Sequence, residues 1–176
     1  MGEYKQVIKM KLYRYNAHET DVSSMKEGWS KKNRTALFHG YCSIKEAYKN
    51  SFNPFLYSYG EPVMSEYDLE EEVFSDLKCK VFDKIDSSFI DYFSMIDRNT
   101  FISNGLDVLV APVLSGIHAR TIDEYNHNKM SMETAVNFIK SAPFTLECFI
   151  YSREALDYLN LVQSEQMFKS AEAFAV

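Results

Sequence analysis

Alternating and continuous runs of apolar residues predict strands near both ends of the chain, with helices between them. Val7 to Tyr15 alternates apolar and basic residues, and Thr35 to Tyr41 is a shorter run with strand-like composition. Leu106 to Val113 is almost wholly apolar, which indicates a strand buried on both faces. The other runs with strand composition are Met64 to Leu69, Leu77 to Phe82 and Thr145 to Tyr151.

Capping patterns and helical spacing predict the elements that lie between these strands. Ser43-Ile44-Lys45-Glu46 has the capping-box pattern, so a helix is expected to begin at Ile44 and to reach about Phe52. Ser88 is expected to cap a second helix, because the apolar residues after it have helical spacing. The remaining predictions are helices at His118 to Asn126, Ser131 to Lys140 and Ser152 to Asn160, and a loop from Asn16 to Asn33. This order of elements predicts an α+β domain.

Length and composition narrow the class of protein. A chain of 176 residues favours one domain, expected over residues 1–165, with residues 166–176 as a C-terminal tail. The net charge of -6 argues against a protein whose whole surface binds nucleic acid. The cysteines lack the spacing of metal ligands or of a disulfide framework, so no metal is expected and the expected setting is the cytoplasm. No apolar run is long enough to cross a membrane.

A small set of residues has the chemistry of a binding or catalytic site. Glu147 lies in a predicted strand, where a carboxylate is usually paired, protonated or functional, unless it simply points to solvent. Arg14 ends the first strand and matches phosphate oxygens, or it is an ordinary surface arginine. His39 and Tyr41 share one face of the second strand, where they either line a cleft or serve the structure. Ser43 is already explained as a helix cap.

Two blocks in the second half of the chain carry a family pattern. Asp107 to Tyr125 reads DVLVAPVLSGIHARTIDEY, and Glu133 to Val162 reads ETAVNFIKSAPFTLECFIYSREALDYLNLV. They resemble the blocks DIVIGPVADDxxYRTIxLY and EEALxxLKxxKLNNQIVFHTEKALKYLKFV of a bacterial family of uncharacterised ADP-ribosyltransferase-like proteins. Leu12-Tyr13-Arg14 stands where that family has LYHG. More distantly, Tyr13-Arg14 and Gly28-Trp29 are similar to the layout of RES-domain toxins, which consume NAD.

The resemblance implies an ADP-ribosyltransferase-like split β-sheet with flanking helices, which holds NAD between two small sheets. In that superfamily three strands bring together a His or Arg, a Tyr or Ser, and a Glu. Carried over by position, the catalytic residues would be Glu147, Arg14 and Tyr41, and the cofactor-binding residues Tyr13, Arg14, His39 and Ser43. Glu147 would stabilise the positive charge that develops on the ribose carbon as the nicotinamide–ribose bond breaks. Arg14 would hold the diphosphate of NAD.

The implied activity is an NAD-dependent ADP-ribosyltransferase, a toxin-like or phage-defence effector. It would transfer ADP-ribose to a protein or a nucleic acid and have an antitoxin or another protein as its partner. The chain departs from the family pattern: Arg14-Tyr15 replaces His-Gly, and Glu147 replaces Gln. Thr145 stands where arginine-type transferases carry Glu or Gln. The alternative is therefore a catalytically inactive binding module of the same fold in a toxin–antitoxin or phage–host system.

Overall fold

A computed structural model of the chain describes residues 9–16, 22–27, 36–50, 62–95, 105–112, 116–141 and 144–166. Its strands are β1 (Lys9–Asn16), β2 (Phe38–Tyr41), β3 (Val63–Glu70), β4 (Cys79–Val81), β5 (Val108–Pro112), β6 (Leu146–Ile150) and β7 (Leu159–Gln166). Its helices are α1 (Val22–Glu27), α2 (Ile44–Asn50), α3 (Val73–Asp76), α4 (Ser87–Met95), α5 (Gly116–Asn126), α6 (Met132–Ser141) and α7 (Arg153–Leu156). The arrangement is α+β, as predicted.

All the described strands belong to one seven-stranded sheet in the order β4-β5-β6-β2-β1-β3-β7. The pairs are antiparallel except for β4 and β5, which run parallel. Strand β1 pairs with β3 along its whole length, from Lys9 to Asn16, whereas it pairs with β2 only at Tyr13 and Tyr41. The sheet therefore consists of two well-paired parts, β4-β5-β6-β2 and β1-β3-β7, that meet at a single residue pair.

One face of the sheet packs on a core that spans both parts. Leu12 from β1, Phe38 from β2, Tyr67 from β3 and Ile150 from β6 are fully buried there. Short helices cover this face through Met25 of α1, Val73 of α3 and Leu156 of α7. Burial of such apolar surface is the main term that stabilises the fold.

The opposite face carries two separate apolar clusters. Helices α4, α5 and α6 cover β5 and β6 through Phe89, Ile122 and Ile139. A second cluster lies around Tyr41 and Met64 and includes Ala47 of α2. The second cluster extends across the join between β2 and β1, because Tyr13 and Tyr15 of β1 pack against it, so the boundary between the two clusters lies between β6 and β2.

Most predicted elements are confirmed within one to three residues, including the strand around Glu147 and the helix that begins at Ile44. The predicted loop from Asn16 to Asn33 is wrong in part, because α1 lies within it and buries Met25 in the core. Ser88 is not the cap of α4. The Oδ1 atom of Asp86 accepts hydrogen bonds from the backbone N–H groups of Ser88 at 3.0 Å and Phe89 at 3.3 Å, as an N-cap residue does.

The predicted helix from Ser152 to Asn160 begins correctly and ends too late. Ser152 Oγ accepts a hydrogen bond from the Ala155 N–H at 3.2 Å, but α7 ends at Leu156. From Leu159 the chain is strand β7, which pairs antiparallel with β3 and reaches Gln166, into the predicted tail. The rest of that tail lies outside the described residues. None of the described helices has both the length and the apolar character needed to cross a membrane.

Candidate functional site

Strands β1, β2 and β6 bring four of the predicted site residues, Arg14, His39, Tyr41 and Glu147, near the position where β1 and β2 share a single residue pair. Tyr41 of β2 pairs with Tyr13 on one side and with Glu147 of β6 on the other. Paired residues project from the same face of a sheet, and so do residues two apart on one strand. His39 therefore shares this face with Tyr41 and Glu147. Alternation places Arg14 on the opposite face.

Glu147 is the buried acid of this site. It is 5% exposed, so the alternative of a carboxylate pointing to solvent is wrong. Its Oε2 atom is hydrogen-bonded to the Nε2 atom of His39. Ala111 of β5 pairs with Glu147 on the side away from Tyr41. The neighbours of the carboxylate are therefore a small apolar residue, a tyrosine and an imidazole that can donate a hydrogen bond to it.

The ring of His39 is fixed on more than one side. It stacks flat on Phe149, with the ring centroids 4.7 Å apart and an interplanar angle of 2°. Tyr41 lies against it at 5.5 Å and 48°. The His39 side chain nevertheless keeps 43% of its surface exposed, compared with 7% for Glu147. A buried carboxylate thus orients an imidazole that faces outward.

Burial and the charge of Glu147 raise the pKa values of both Tyr41 and Cys42. The ring of Tyr41 stacks on that of Tyr15 at 5.9 Å. Burial raises the pKa of Tyr41 far above its ordinary value, and a hydrogen bond with Tyr15 and the charge of Glu147 raise it further. Burial also raises the pKa of the Cys42 thiol to about 12, with Glu147 as the second cause. Both groups are therefore neutral near pH 7 and do not supply a nucleophilic anion.

Arg14 is partly buried and incompletely paired. Its guanidinium lies over the ring of Phe38, with Cζ 5.5 Å from the ring centroid, and its Nε–H donates to Asn16 Oδ1 at 3.2 Å. Burial lowers the pKa of Arg14. Its Nη1 atom and the Nδ2 atom of Asn16 are buried without a hydrogen-bond partner. Since buried donors are nearly always paired, unpaired donors on two residues that are hydrogen-bonded to each other indicate a place for an acceptor such as a phosphate oxygen.

A cleft of about 180 Å³ lies at the join between the two parts of the sheet. Arg14, Tyr15, Asn16, His39 and Tyr41 line it. Strands β1 and β2 separate beyond the pair Tyr13–Tyr41. Arg14 and Asn16 from one face of the sheet and Tyr15, His39 and Tyr41 from the other therefore reach the same cleft. The cleft combines cationic and hydrogen-bonding groups with aromatic rings, which suits a ligand containing phosphate, sugar and an aromatic ring.

Some predicted site residues lie away from this cleft. Glu147 does not line it and reaches it through His39. Tyr13 lines a smaller cavity of about 50 Å³ together with Tyr48 and Glu66. Ser43 is exposed at the start of α2, where its carbonyl oxygen accepts a hydrogen bond from the Ala47 N–H at 3.0 Å. The predictions that Tyr13 and Ser43 bind the cofactor therefore receive no support from the cleft.

The structure adds residues that the sequence pattern did not single out. Tyr15 and Asn16 line the cleft, and nothing in their local sequence marks them. The Thr145 hydroxyl donates to Glu46 Oε2 at 3.2 Å, so a carboxylate from α2 lies beside the residue two positions before Glu147. Gly28-Trp29 lies outside the described residues. Within the part of the chain that the structure describes, no cluster of His, Cys, Asp or Glu could hold a metal ion.

Comparison with protein-family models found no match for this chain, and comparison with curated proteins found none either.

Proposed function

We propose that the chain is an NAD-dependent ADP-ribosyltransferase that cleaves the nicotinamide–ribose bond and transfers ADP-ribose to a macromolecule. The observation that carries the proposal is that strands β1 and β2 place Arg14, His39 and Tyr41 in one cleft, while Glu147 of the neighbouring strand β6 is hydrogen-bonded to His39 behind it. The family resemblance implies this combination of residue types on three strands. In the proposal, the two parts of the sheet are the halves of a split sheet, with NAD between them.

The cleft suits one part of the dinucleotide. Its volume of about 180 Å³ is below the roughly 300–1,000 Å³ of typical ligand pockets, so it would hold the nicotinamide ribose and a neighbouring phosphate. The unpaired Nη1 donor of Arg14 and the Nδ2 donor of Asn16 would bind phosphate oxygens. The stacked rings of Tyr15 and Tyr41 would pack against nicotinamide or ribose.

Cleavage of the nicotinamide–ribose bond develops positive charge on the ribose carbon. Glu147 would place a fixed negative charge behind the cleft, in a buried position where solvent screens it little. Fixed charges of this kind commonly change rates by roughly a hundredfold to a thousandfold. Nicotinamide leaves as a neutral molecule, so no metal is required for the bond to break.

The test is labelled NAD in a cell lysate, with the parent compared with Glu147→Gln. The matched control is Glu70→Gln, since Glu70 is also a hydrogen-bonded strand glutamate, whose Oε1 atom accepts from Asn160 Nδ2 at 2.9 Å, far from the cleft. We expect Glu147→Gln to lose label transfer at least a hundredfold, while the control retains it. Digestion of the product with protease or nuclease identifies the acceptor class. Equal labelling by all three proteins would show that Glu147 has no catalytic role.

A second candidate is a binding module that keeps the fold without turnover. It is favoured by the position of Glu147 behind His39, away from the cleft lining. This module would act with a protein partner in a toxin–antitoxin or phage–host system. A ligand that binds only the native state must raise the melting temperature. Absence of a shift with millimolar NAD or ADP-ribose would favour the interaction module.

A further inference from the structure

The pairing of His39 with Glu147 is more specific than charge stabilisation requires. Glu147 bonds one imidazole nitrogen, Nε2, and Phe149 and Tyr41 hold the plane of the ring. The other nitrogen, Nδ1, has no hydrogen bond to any of the described residues. When Nε2–H donates to the carboxylate, Nδ1 carries the lone pair of the neutral tautomer. The result is an oriented proton acceptor on a residue that lines the cleft.

We propose that His39 is the general base that activates the ADP-ribose acceptor, and that this acceptor is a hydroxyl group, either of water or of a macromolecule. Glu147 is then also the positioning residue that fixes the His39 tautomer. The inference rests on the proposed function, because it concerns the second substrate of the same reaction. Tyr41 and Cys42 cannot take this role, since both are held in the protonated form near pH 7.

The step balances without a further reactant. The acceptor oxygen forms a bond to the ribose carbon as the bond from that carbon to the nicotinamide nitrogen breaks. The electron pair of the broken bond leaves with nicotinamide, which becomes neutral. The acceptor proton moves to Nδ1 of His39, and the resulting imidazolium, stabilised by Glu147, later releases it to solvent. An alcohol needs such a base, because its own ionisation near neutral pH is negligible.

Azide distinguishes this role from simple binding, because azide is already an anion and needs no base. The experiment incubates NAD with purified protein in the presence of methanol or azide and measures methyl-ADP-ribose, azido-ADP-ribose and free ADP-ribose. His39→Gln removes the base and keeps a side-chain amide that can still donate to Glu147. His127→Gln is the matched control, because His127 is exposed at the end of α5 and bonds only within that helix.

We expect His39→Gln to lower the methanol and water products by about a hundredfold or more relative to the azide product. The control should keep the partition of the parent. If His39→Gln folds poorly, His39→Ala with added imidazole provides the second measurement, and imidazole should restore the methanol product. Equal losses of the methanol and azide products in His39→Gln would overturn the proposal while leaving the transferase function intact. If the parent releases no nicotinamide under any condition, both the transferase function and the role of His39 are wrong.

Discussion

Removing His39 should cost far more stability than removing Glu147, although the two side chains form one hydrogen bond. His39→Phe keeps the stacking on Phe149 but leaves the carboxylate buried without its partner. Glu147→Leu instead removes the hydrogen-bond partner of His39, whose side chain is 43% exposed and can form a hydrogen bond with water. The asymmetry follows from burial alone, since Glu147 has 7% of its side chain exposed.

The size of each loss in the free energy of unfolding follows from the exposed fractions of the two side chains. Breaking a buried ion pair by removing one partner costs about 3–5 kcal/mol when both groups are buried. Because His39 is half-exposed, we expect a cost below that range, about 2–3 kcal/mol, for His39→Phe. Glu147→Leu should cost less than about 1 kcal/mol, since it strands no buried charge. The double variant places two apolar side chains against each other, so it should recover about 2 kcal/mol relative to the sum of the single changes.

Urea unfolding of the four proteins measures this cycle. With a slope of about 2 kcal/mol per molar urea, a loss of 2 kcal/mol moves the midpoint by about 1 M. Coincidence of fluorescence and circular dichroism transitions is the check on two-state behaviour. Equal losses in the two single variants, or additive losses in the double variant, would refute the description of Glu147 as a buried acid that depends on His39.

Three further outcomes are expected. Gly40→Ala should lower the free energy of unfolding by about 1–3 kcal/mol in urea titrations, because its Cβ would lie 2.6 Å from Cε1 of the fully buried Phe38 ring. A change below about 0.5 kcal/mol would show that the ring can move. Arg14→Met should change the stability by less than about 1 kcal/mol, because removing the unpaired Nη1 offsets the lost hydrogen bond and ring contact. We expect ADP-ribose to raise the melting temperature of the parent and Arg14→Met to abolish that rise; an unchanged shift would exclude Arg14 from the anion site. Asp86→Ala should lower the melting temperature more at about pH 7 than at about pH 2.5, because hydrogen bonds from Ser88 lower the pKa of Asp86 from 3.8 and its stabilising contribution shrinks as the pH falls toward and through that lowered pKa. Thermal scans at both pH values measure this difference, and the same loss at both would assign it to something other than the charge.

Local patterns in the sequence were sufficient to predict those elements whose caps or apolar runs lie within the element itself. The capping box at Ser43 gives the start of α2, and the apolar run around Val110 gives β5. The end of the chain was ambiguous, because Leu159 and Leu161 fit both a helix and a strand. The segment is a strand because it pairs with β3, and the sequence of β7 alone does not reveal this partner. Helix α1 was missed because one short turn of helix, anchored by Met25, has too few apolar positions to show a period.

The candidate site was likewise predicted in part from the sequence and determined in part by the tertiary structure. Residue type and strand position selected Arg14, His39, Tyr41 and Glu147, since each carries chemistry that an element end or a strand face can present. The tertiary structure decided which of them meet: the order β6-β2-β1 sets Glu147 against His39 and opens a cleft beside Arg14. It also placed Tyr13 and Ser43 away from that cleft and brought in Asn16. The physical reason is that strand pairing and burial join residues distant in sequence, whereas hydrophobic period and capping act within a few residues of each other.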